Sequence, residues 1–508
     1  MDRRHLLRLG GAMSVLGVGA PFAMQLAAAG SAAGQSVSDY KALVCVFLFG
    51  GNDAHNMVLA TDTDSWGRYF NTRNTGNDPI ALMPVGTAPT PVGQTSSTTG
   101  RVAAANTPEA WGGVLPITPR TPQAVPAGTN AASRTFALHP FLSPMQSLYN
   151  QGRLAVLANV GTLIQPTSKV QYQARSVPVP ASLFSHNDQQ STWQALSTEG
   201  ARTGWGGRFA DLMAGMNGGN TLFTAISTAG NAVFLSGQSI VQYQLSTGTQ
   251  PAVVITGQQG NSLFGSSLAP SRVRDLITDT NLTNNFAADY STVVARSLSA
   301  ATNVNTAFTQ GIVTGIQTAP AYTNPITTQV ETNSLALQLQ TVARMIAAAP
   351  GLGVRRQVFF VSLGGWDTHD FQNTTQSNLL AKVAHAFAYF DGALANVGGL
   401  DRRAQVTTFT ASDFSRTITT NGDGTDHAWG GHHFIMGGAV NGGRFYGVAP
   451  QISVTSPDQV GQGRLLPSIS VDQYASTLAT WFGVSASELP SVSPNIGRFA
   501  TSNLGFMA

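Results

Sequence analysis

The residues best suited to chemistry are aspartates and histidines that gather in three short, glycine-rich stretches. Carboxylate oxygens and imidazole nitrogens bind divalent ions, and glycines let the backbone approach such a site closely. Histidines favour Zn²⁺ over Mg²⁺, while Mn²⁺ and Ca²⁺ stay open. The stretches therefore predict a metal site. They contain Asp53 within residues 50–56, Asp367 and His369 within residues 364–370, and Asp426, His427, His432 and His433 within residues 424–433.

Two of these stretches, and a further polar cluster at residues 412–417, also have a purely structural interpretation. Turn chemistry would account for Asp53, because aspartate side chains bond to the backbone in turns. A structural salt bridge would account for Asp413 and Arg416, and a polar glycine-rich turn for Asp426 and His427. The joint position of these residues after predicted strands favours the functional interpretation.

Ser185 has two open roles. It could cap a helix that starts at the next residue, with Asp188 as the reciprocal partner. It could also be a nucleophile that a metal ion activates at the positive end of that helix. Arg416 could clamp the oxygens of an anionic substrate. His55 and His186 could serve as an acid, a base or a substrate contact.

The pattern of strands and helices supplies a scaffold for these residues. Residues 41–49 form a continuous apolar run, which is typical of a buried parallel strand. The alternation that follows predicts an α/β fold with a mostly parallel central sheet and helices on both faces. Ligand sites of such sheets lie outside the carboxyl ends of the strands, so the loops are expected to meet there. Further strands are expected at 154–160, 357–363, 405–410 and 433–437, and helices at 186–198, 206–215, 271–299, 327–348 and 378–397.

Composition narrows the class of protein. Only 10% of the 508 residues are charged and the formal net charge is +3, which excludes the basic field of a nucleic-acid-binding protein. The start of the chain, with Arg3-Arg4 before a short apolar run, is similar to a twin-arginine signal over residues 1–29. We therefore expect a periplasmic or secreted protein, exported by the twin-arginine machinery, with no stable membrane span after cleavage.

With these motifs in place, the chain resembles the domain-of-unknown-function family 1501 (DUF1501). That family is related to the alkaline-phosphatase-like superfamily of phosphatases, sulfatases and phosphomutases. The resemblance implies one alkaline-phosphatase-like domain at 40–483. A stretch rich in Gly, Thr and Ser at about 83–135 is interpreted as a loop-rich insertion in it, and residues 484–508 as a C-terminal segment packed on it. The resemblance is carried by residues 50–53, 185–186, 364–369, 412–417, 424–427 and 472–474.

The superfamily implies a site with two metal ions, most simply zinc. It also implies an exported metal-dependent hydrolase of phosphate or sulfate esters, with Ser185 as the nucleophile and an anionic ester as substrate. The alternative is a non-catalytic exported binding protein that keeps the same fold. By position, the first ion would be held by Asp53, Ser185, Asp426 and His427, and the second by Asp367, His369 and one of His432 or His433.

Overall fold

The apolar run near the start of the sheet forms strand β1, Lys41–Phe49, whose residues 42–48 are all buried. Consecutive side chains of a strand point to opposite faces. Accordingly, the even-numbered residues of 42–48 join one hydrophobic cluster and the odd-numbered residues join a second one. Strand β1 therefore lies inside a sheet that is covered on both sides.

The computed structural model describes residues 40–508 apart from 128, 219–220, 249–251 and 253–261. The expected export signal at 1–29 lies outside the described residues. The strands of the described part are β1, β2 (Val58–Ala60), β3 (Leu115–Ile117), β4 (Phe136–Leu138), β5 (Leu154–Gly161), β6 (Ala225–Ser227), β7 (Tyr243–Gln244), β8 (Tyr322–Thr323), β9 (Val330–Glu331), β10 (Arg356–Gly364), β11 (Val406–Ser412), β12 (Gly431–Met436), β13 (Phe445–Tyr446) and β14 (Ile469–Ser470).

Nine of these strands form the central sheet, in the order β13-β5-β12-β11-β1-β10-β6-β7, with β14 also paired to β5. Strand β1 pairs in parallel with both β10 and β11, and β10 continues in parallel to β6 and β7. Strand β12 runs antiparallel to both of its neighbours. The fold is thus α/β with a large, mostly parallel mixed sheet, as the sequence predicted.

Helices cover both faces of this sheet. Leu339 and Phe387, from two long helices, lie in the cluster that the even-numbered face of β1 joins. Phe209 and Leu478, from two others, lie in the second cluster. The helices of the described part are α1 (Ala54–Met57), α2 (Thr63–Arg73), α3 (Pro108–Trp111), α4 (Ser143–Asn150), α5 (Lys169–Ala174), α6 (His186–Ala195), α7 (Trp205–Met213), α8 (Ala269–Ile277), α9 (Asn285–Phe308), α10 (Gly311–Thr314), α11 (Ser334–Leu352), α12 (Gln372–Leu394), α13 (Val471–Phe482) and α14 (Leu489–Val492).

The expected elements depart from the structure in several places; among them, the helix expected from residue 327 begins at Ser334 and the helix expected from residue 378 begins at Gln372. The helix expected at 271–299 is two helices, α8 and α9, separated by residues 278–284. Helix α11 passes Pro350, where an end was expected, and stops at Gly353, whose φ of 68° suits a left-handed helix end. Strand β6 was not expected as a sheet member, because its three residues are too few to show a period. No helix in the described ranges is long and apolar enough to cross a membrane.

Candidate functional site

Three neighbouring parallel strands end at one edge of the sheet. The register places the last residues of β1 beside the last residues of β10 and β11. The loops that follow, residues 50–53, 365–371 and 413–430, therefore begin side by side. The expected meeting of these loops is observed.

Gly50 allows the loops to approach each other. Its φ of 118° is a backbone conformation that favours glycine. A Cβ atom at this position would lie 2.5 Å from the backbone nitrogen of Asp367. The N–H of Gly50 donates to Oδ2 of Asp413 at 3.2 Å. Gly50 thus joins the ends of β1, β10 and β11 at one point.

Asp367 lies among imidazole rings from distant parts of the chain. Nε2 of His427 is 3.1 Å from its Oδ1, and Nε2 of His186 is 3.4 Å from its Oδ2. One ligand atom from each of these three residues lies within 4.8 Å of the other two. Asp367 and His427 were expected as ligands, whereas His186 was expected only as an acid, a base or a substrate contact. The three residues form a candidate metal-binding group.

His186 is held by the first turn of α6 and by a buried carboxylate. Its Nδ1 lies 2.7 Å from Oδ2 of Asp413, and Gln190, one turn along the helix, donates to the same oxygen at 2.8 Å. The hydrogen bond to Asp413 raises the pKa of His186 in spite of its partial burial. Since Asp413 occupies Nδ1, the other ring nitrogen of His186 faces Asp367.

His427 is oriented by a backbone carbonyl. Its Nδ1 lies 2.7 Å from the carbonyl oxygen of Phe184, a residue with a φ of 77°. A carbonyl oxygen only accepts hydrogen bonds, so Nδ1 of His427 carries the proton. Burial and the nearby charge of Arg416 lower the pKa of His427. Nε2 of the ring therefore faces Asp367.

His369 and Asp426 lie beside the group, on the side that faces solvent. Nε2 of His369 lies 3.0 Å from Nε2 of His427 and 3.2 Å from Oδ1 of Asp367. Its Nδ1 lies 3.5 Å from Oδ1 of Asp426. The side chains of His369 and Asp426 are 40% and 41% exposed. Two expected ligands thus flank the group where solvent reaches it.

The buried side chain of Arg416 contacts Asp367. Its side chain is fully buried and donates from Nη2 to Oδ1 of Asp367 at 2.7 Å. Burial would raise the pKa of Asp367, but the charge of Arg416 together with the neighbouring His427, His186 and His369 outweighs burial, and the pKa is lowered. Nε and Nη1 of Arg416 are buried and have no hydrogen-bond partner in the described part of the chain. In this structure Arg416 contacts a site carboxylate and not an open substrate position.

Ser185 stands at the N-cap position of α6, directly before His186. Its side chain makes no capping hydrogen bond, so the expected reciprocal cap with Asp188 is not formed. The hydroxyl of Ser185 therefore makes no hydrogen bond to the backbone of the helix. It lies at the N-terminal end of the helix, where the helix dipole is positive.

Asp53 lies outside this group. Its Oδ1 accepts from Nη2 of Arg73 at 3.1 Å and from the N–H of His55 at 2.9 Å, and its Oδ2 accepts from Gln372 at 2.6 Å. Asp53 and Arg73 are both fully buried. Burial would raise the pKa of Asp53, but the charge and hydrogen bonds of Arg73, together with His55, outweigh burial, and the pKa is lowered. The structure thus gives Asp53 the bond to the nearby backbone that the turn interpretation expects, here at the start of α1, together with a buried ion pair.

His432 and His433 also lie outside the group, because they belong to β12 and not to a loop. Nδ1 of His432 accepts from the backbone N–H of Asn159 at 3.2 Å, and Nδ1 of His433 lies 3.2 Å from the hydroxyl of Thr410. Burial lowers the pKa of each histidine to about 3. Both are neutral side chains of the protein interior.

The donor set fits a divalent cation. His186 and His427 both have Nδ1 occupied, which leaves Nε2 free as a ligand atom, the arrangement usual for metal-bound histidines. Asp367, Asp413 and Asp426 surround the rings, the guanidinium of Arg416 contacts Asp367, and Nε of Arg464 donates to the backbone carbonyl of His427 at 2.8 Å. The group also mixes residues that the resemblance assigned to different ions.

Several supporting residues were not identified from the sequence. Arg73, Gln190 and Gln372 are single polar residues on helices, with no motif around them. His186 and Asp413 did carry a signal, since each lies in a stretch that the sequence singled out. Their contact with each other depends on the fold alone.

The comparisons with known proteins give one strong result. A family model described as a protein of unknown function, DUF1501, matches residues 40–468. No curated protein matches the chain. A chain from the crystal structure of Ps i-CgsB in complex with k-i-k-neocarrahexaose is similar at 9% identity and a TM-score of 0.28, covering 69% of this chain and 70% of that chain. A similarity at this level says nothing about ligand or activity.

Proposed function

The chain belongs to the DUF1501 family of proteins of unknown function, and we propose that it is an exported hydrolase of phosphate or sulfate esters that uses a divalent metal ion. The observation that carries the proposal is the convergence of His186, Asp367 and His427 at the carboxyl edge of the sheet. Zinc suits this set best, since two of the three ligands are imidazoles. The alkaline-phosphatase-like fold and the export signal at 1–29 are parts of the same proposal and rest on the sequence motifs.

The residues around the group have separable roles. When bound, the metal ion would supply a Lewis acid beside the reacting ester. Ser185 would lose its hydroxyl proton, bond to the phosphorus or sulfur atom, and release the alcohol, which takes up a proton. Water would then bond to the phosphorus or sulfur atom of the serine ester, release inorganic phosphate or sulfate, and return a proton to restore the hydroxyl of Ser185. Arg416 keeps Asp367 ionised, and Asp413 keeps Nε2 of His186 directed at the site.

The test is turnover of a panel of aryl phosphates and aryl sulfates by the full chain. We expect a chelator to abolish turnover and Zn²⁺ to restore it. Ser185→Ala and His186→Ala should each lower turnover by at least about a hundredfold, in the range expected for loss of a nucleophile or metal ligand. The matched controls are Ser191→Ala, on the same helix, and His385→Ala, a partly buried histidine elsewhere; both should keep full turnover. Activity that survives in Ser185→Ala would reject the nucleophile, and activity that survives chelation would reject the metal.

The alternative is a non-catalytic binding protein with the same fold. The burial of Arg416 beneath Asp367 favours it, because this arginine does not reach a substrate in the present arrangement. Absence of turnover on the whole panel, with metal bound, would support this alternative.

A further inference from the structure

Helix α9 buries one face against the body of the protein, whereas the opposite face of its first half exposes large apolar side chains. On the buried side, Phe308 lies in the hydrophobic cluster that also contains Leu339 of α11. On the open side, Phe286 is 87% exposed, Tyr290 67% and Val293 64%. Apolar side chains that are exposed to this extent mark an interaction site where they lie together.

The three exposed side chains form one stripe. They are four and three positions apart, which places them on the same face of the helix. Alternating spacings of three and four residues are those of the contact positions of a coiled coil. The next contact position is Ser297, which is exposed, and the one after it is Ala300, which is 1% exposed. The stripe is therefore open over residues 286–297, which we call the open seam, and is covered after them.

We propose that the open seam is a dimer contact, which pairs in antiparallel orientation with the open seam of a second copy of this chain. A contact between two identical surfaces requires a surface that is complementary to itself. Antiparallel pairing places Tyr290 opposite Val293 of the second copy, and this contact occurs twice. It also places Phe286 opposite Ser297, whose small side chain leaves room for the aromatic ring.

The charged residues beside the open seam fit the same arrangement. Asp289 and Arg296 are exposed and lie seven residues apart, on the same side of the seam. Residues at such flanking positions form the ion pairs that set orientation in coiled coils. Antiparallel pairing brings the start of one seam beside the end of the other. Asp289 of each copy therefore lies beside Arg296 of the other copy.

The balance of charge favours a second copy over a lipid surface as the occupant. Helices that lie on anionic membranes carry many Lys and Arg residues beside their apolar face. Asp289 and Arg296 are the only charged residues of the segment 285–299, and their charges cancel. The segment thus lacks the excess of positive charge that would attract an anionic membrane.

The size of the apolar surface predicts a weak dimer. An aromatic side chain offers about 150–250 Å², so Phe286 and Tyr290 together expose about 300 Å². A standard interface between proteins buries about 800 Å² on each partner, and smaller ones belong to transient complexes. We therefore expect monomers and dimers in an equilibrium that depends on concentration.

The experiment is analytical ultracentrifugation of the full chain over a range of concentrations. We expect monomers at about 1 µM and dimers at about 100 µM, the range of a small interface. Asp289→Arg and Arg296→Asp each place like charges against each other, so each should weaken association at least tenfold. An equimolar mixture of the two variants restores opposite charges across the seam and should dimerise as the native chain does.

Matched variants test whether these effects belong to the open seam. Glu199→Arg and Arg498→Asp reverse exposed charges far from α9 along the chain, and both should dimerise normally. Phe286→Ser should weaken association at least tenfold, whereas Val170→Ser, at a valine that is 74% exposed on α5, should not. Far-ultraviolet circular dichroism confirms that each variant keeps its helices.

The outcomes decide between the possible occupants. A native chain that stays monomeric at the highest concentration overturns the inference, and so do dimers that form equally well in Asp289→Arg and Arg296→Asp. Flotation of a monomeric chain with phosphatidylglycerol vesicles, lost in Phe286→Ser, would assign the face to a lipid surface. The contact does not involve the candidate metal group, so none of these results changes the test of the proposed function.

Discussion

At the scale of residues, two aspartates at the same edge of the sheet have opposite roles because they have different partners. Asp53 faces Arg73, and both side chains are fully buried. Asp367 faces three imidazoles and one guanidinium and is 45% exposed. The charge of Asp53 is balanced inside the protein, whereas that of Asp367 is shared with a group that reaches solvent. The sequence around Asp53 and Asp367 does not distinguish these two cases.

The difference predicts the effect of removing the Asp53 charge. Asp53→Asn leaves Arg73 buried without its ion partner, so the free energy of unfolding should fall by about 3–5 kcal/mol. Bound metal in the folded fraction should stay at the native level. Asp64→Asn is the matched control, because it removes the i,i+4 partner of Arg68, a surface arginine whose side chain is 37% exposed, and it should cost less than about 1 kcal/mol. Urea unfolding and metal analysis check both variants; loss of metal in folded Asp53→Asn would make Asp53 a ligand after all.

At the scale of elements, the site depends on how closely the ends of three strands approach. Gly50 has both a positive φ and a neighbouring backbone 2.5 Å from its missing Cβ atom. Gly86 has a positive φ of 81° but open space around it. A comparison of substitutions at Gly50 and Gly86 therefore distinguishes the effect of backbone strain from the effect of contact between the loops.

Gly50→Ala should therefore be the more damaging substitution. We expect it to lower the free energy of unfolding by about 3 kcal/mol, against about 1 kcal/mol for Gly86→Ala, which carries only the backbone strain. It should also weaken Zn²⁺ binding about tenfold, because the shift falls on the loop that carries Asp367. Chemical unfolding and competition with a chelator measure the two effects. Equal effects of the two substitutions would show that the contact at Gly50 does not position the site.

The strands were predictable where a long apolar run identified them. The expected positions of β1, β5, β10 and β11 agree with the structure to within two residues at each end. The direction of β12 was not predictable, because the apolar pattern of its residues is compatible with a parallel and with an antiparallel strand. Strand β12 begins at Gly431, two residues before the strand expected at 433–437, so His432 as well as His433 lies inside the strand and is buried. Likewise, the sequence identified Asp367, His369, Asp426 and His427, but the contact of His186 with Asp413 spans 227 positions and arises only from the fold.

In the molecule as a whole, several histidines lie in the interior of a protein that has few charged residues. His139, His432 and His433 are all at least 95% buried. Burial lowers the pKa of each of them to about 3. Their usual pKa in an unfolded chain is about 6.5. The folded protein therefore binds fewer protons than the unfolded chain between these two values.

This difference sets the response of stability to acid. Since the unfolded chain binds more protons below pH 6.5, the free energy of unfolding should be highest above that pH and fall towards pH 3. One such histidine contributes a loss of about 2 kcal/mol at pH 5. His433→Gln replaces a buried histidine with a side chain that does not titrate, so its loss between pH 7.5 and pH 5 should be smaller by about that amount. Urea unfolding of the native chain and of His433→Gln at the two pH values measures the difference, and equal losses would show that His433 takes up no proton on unfolding.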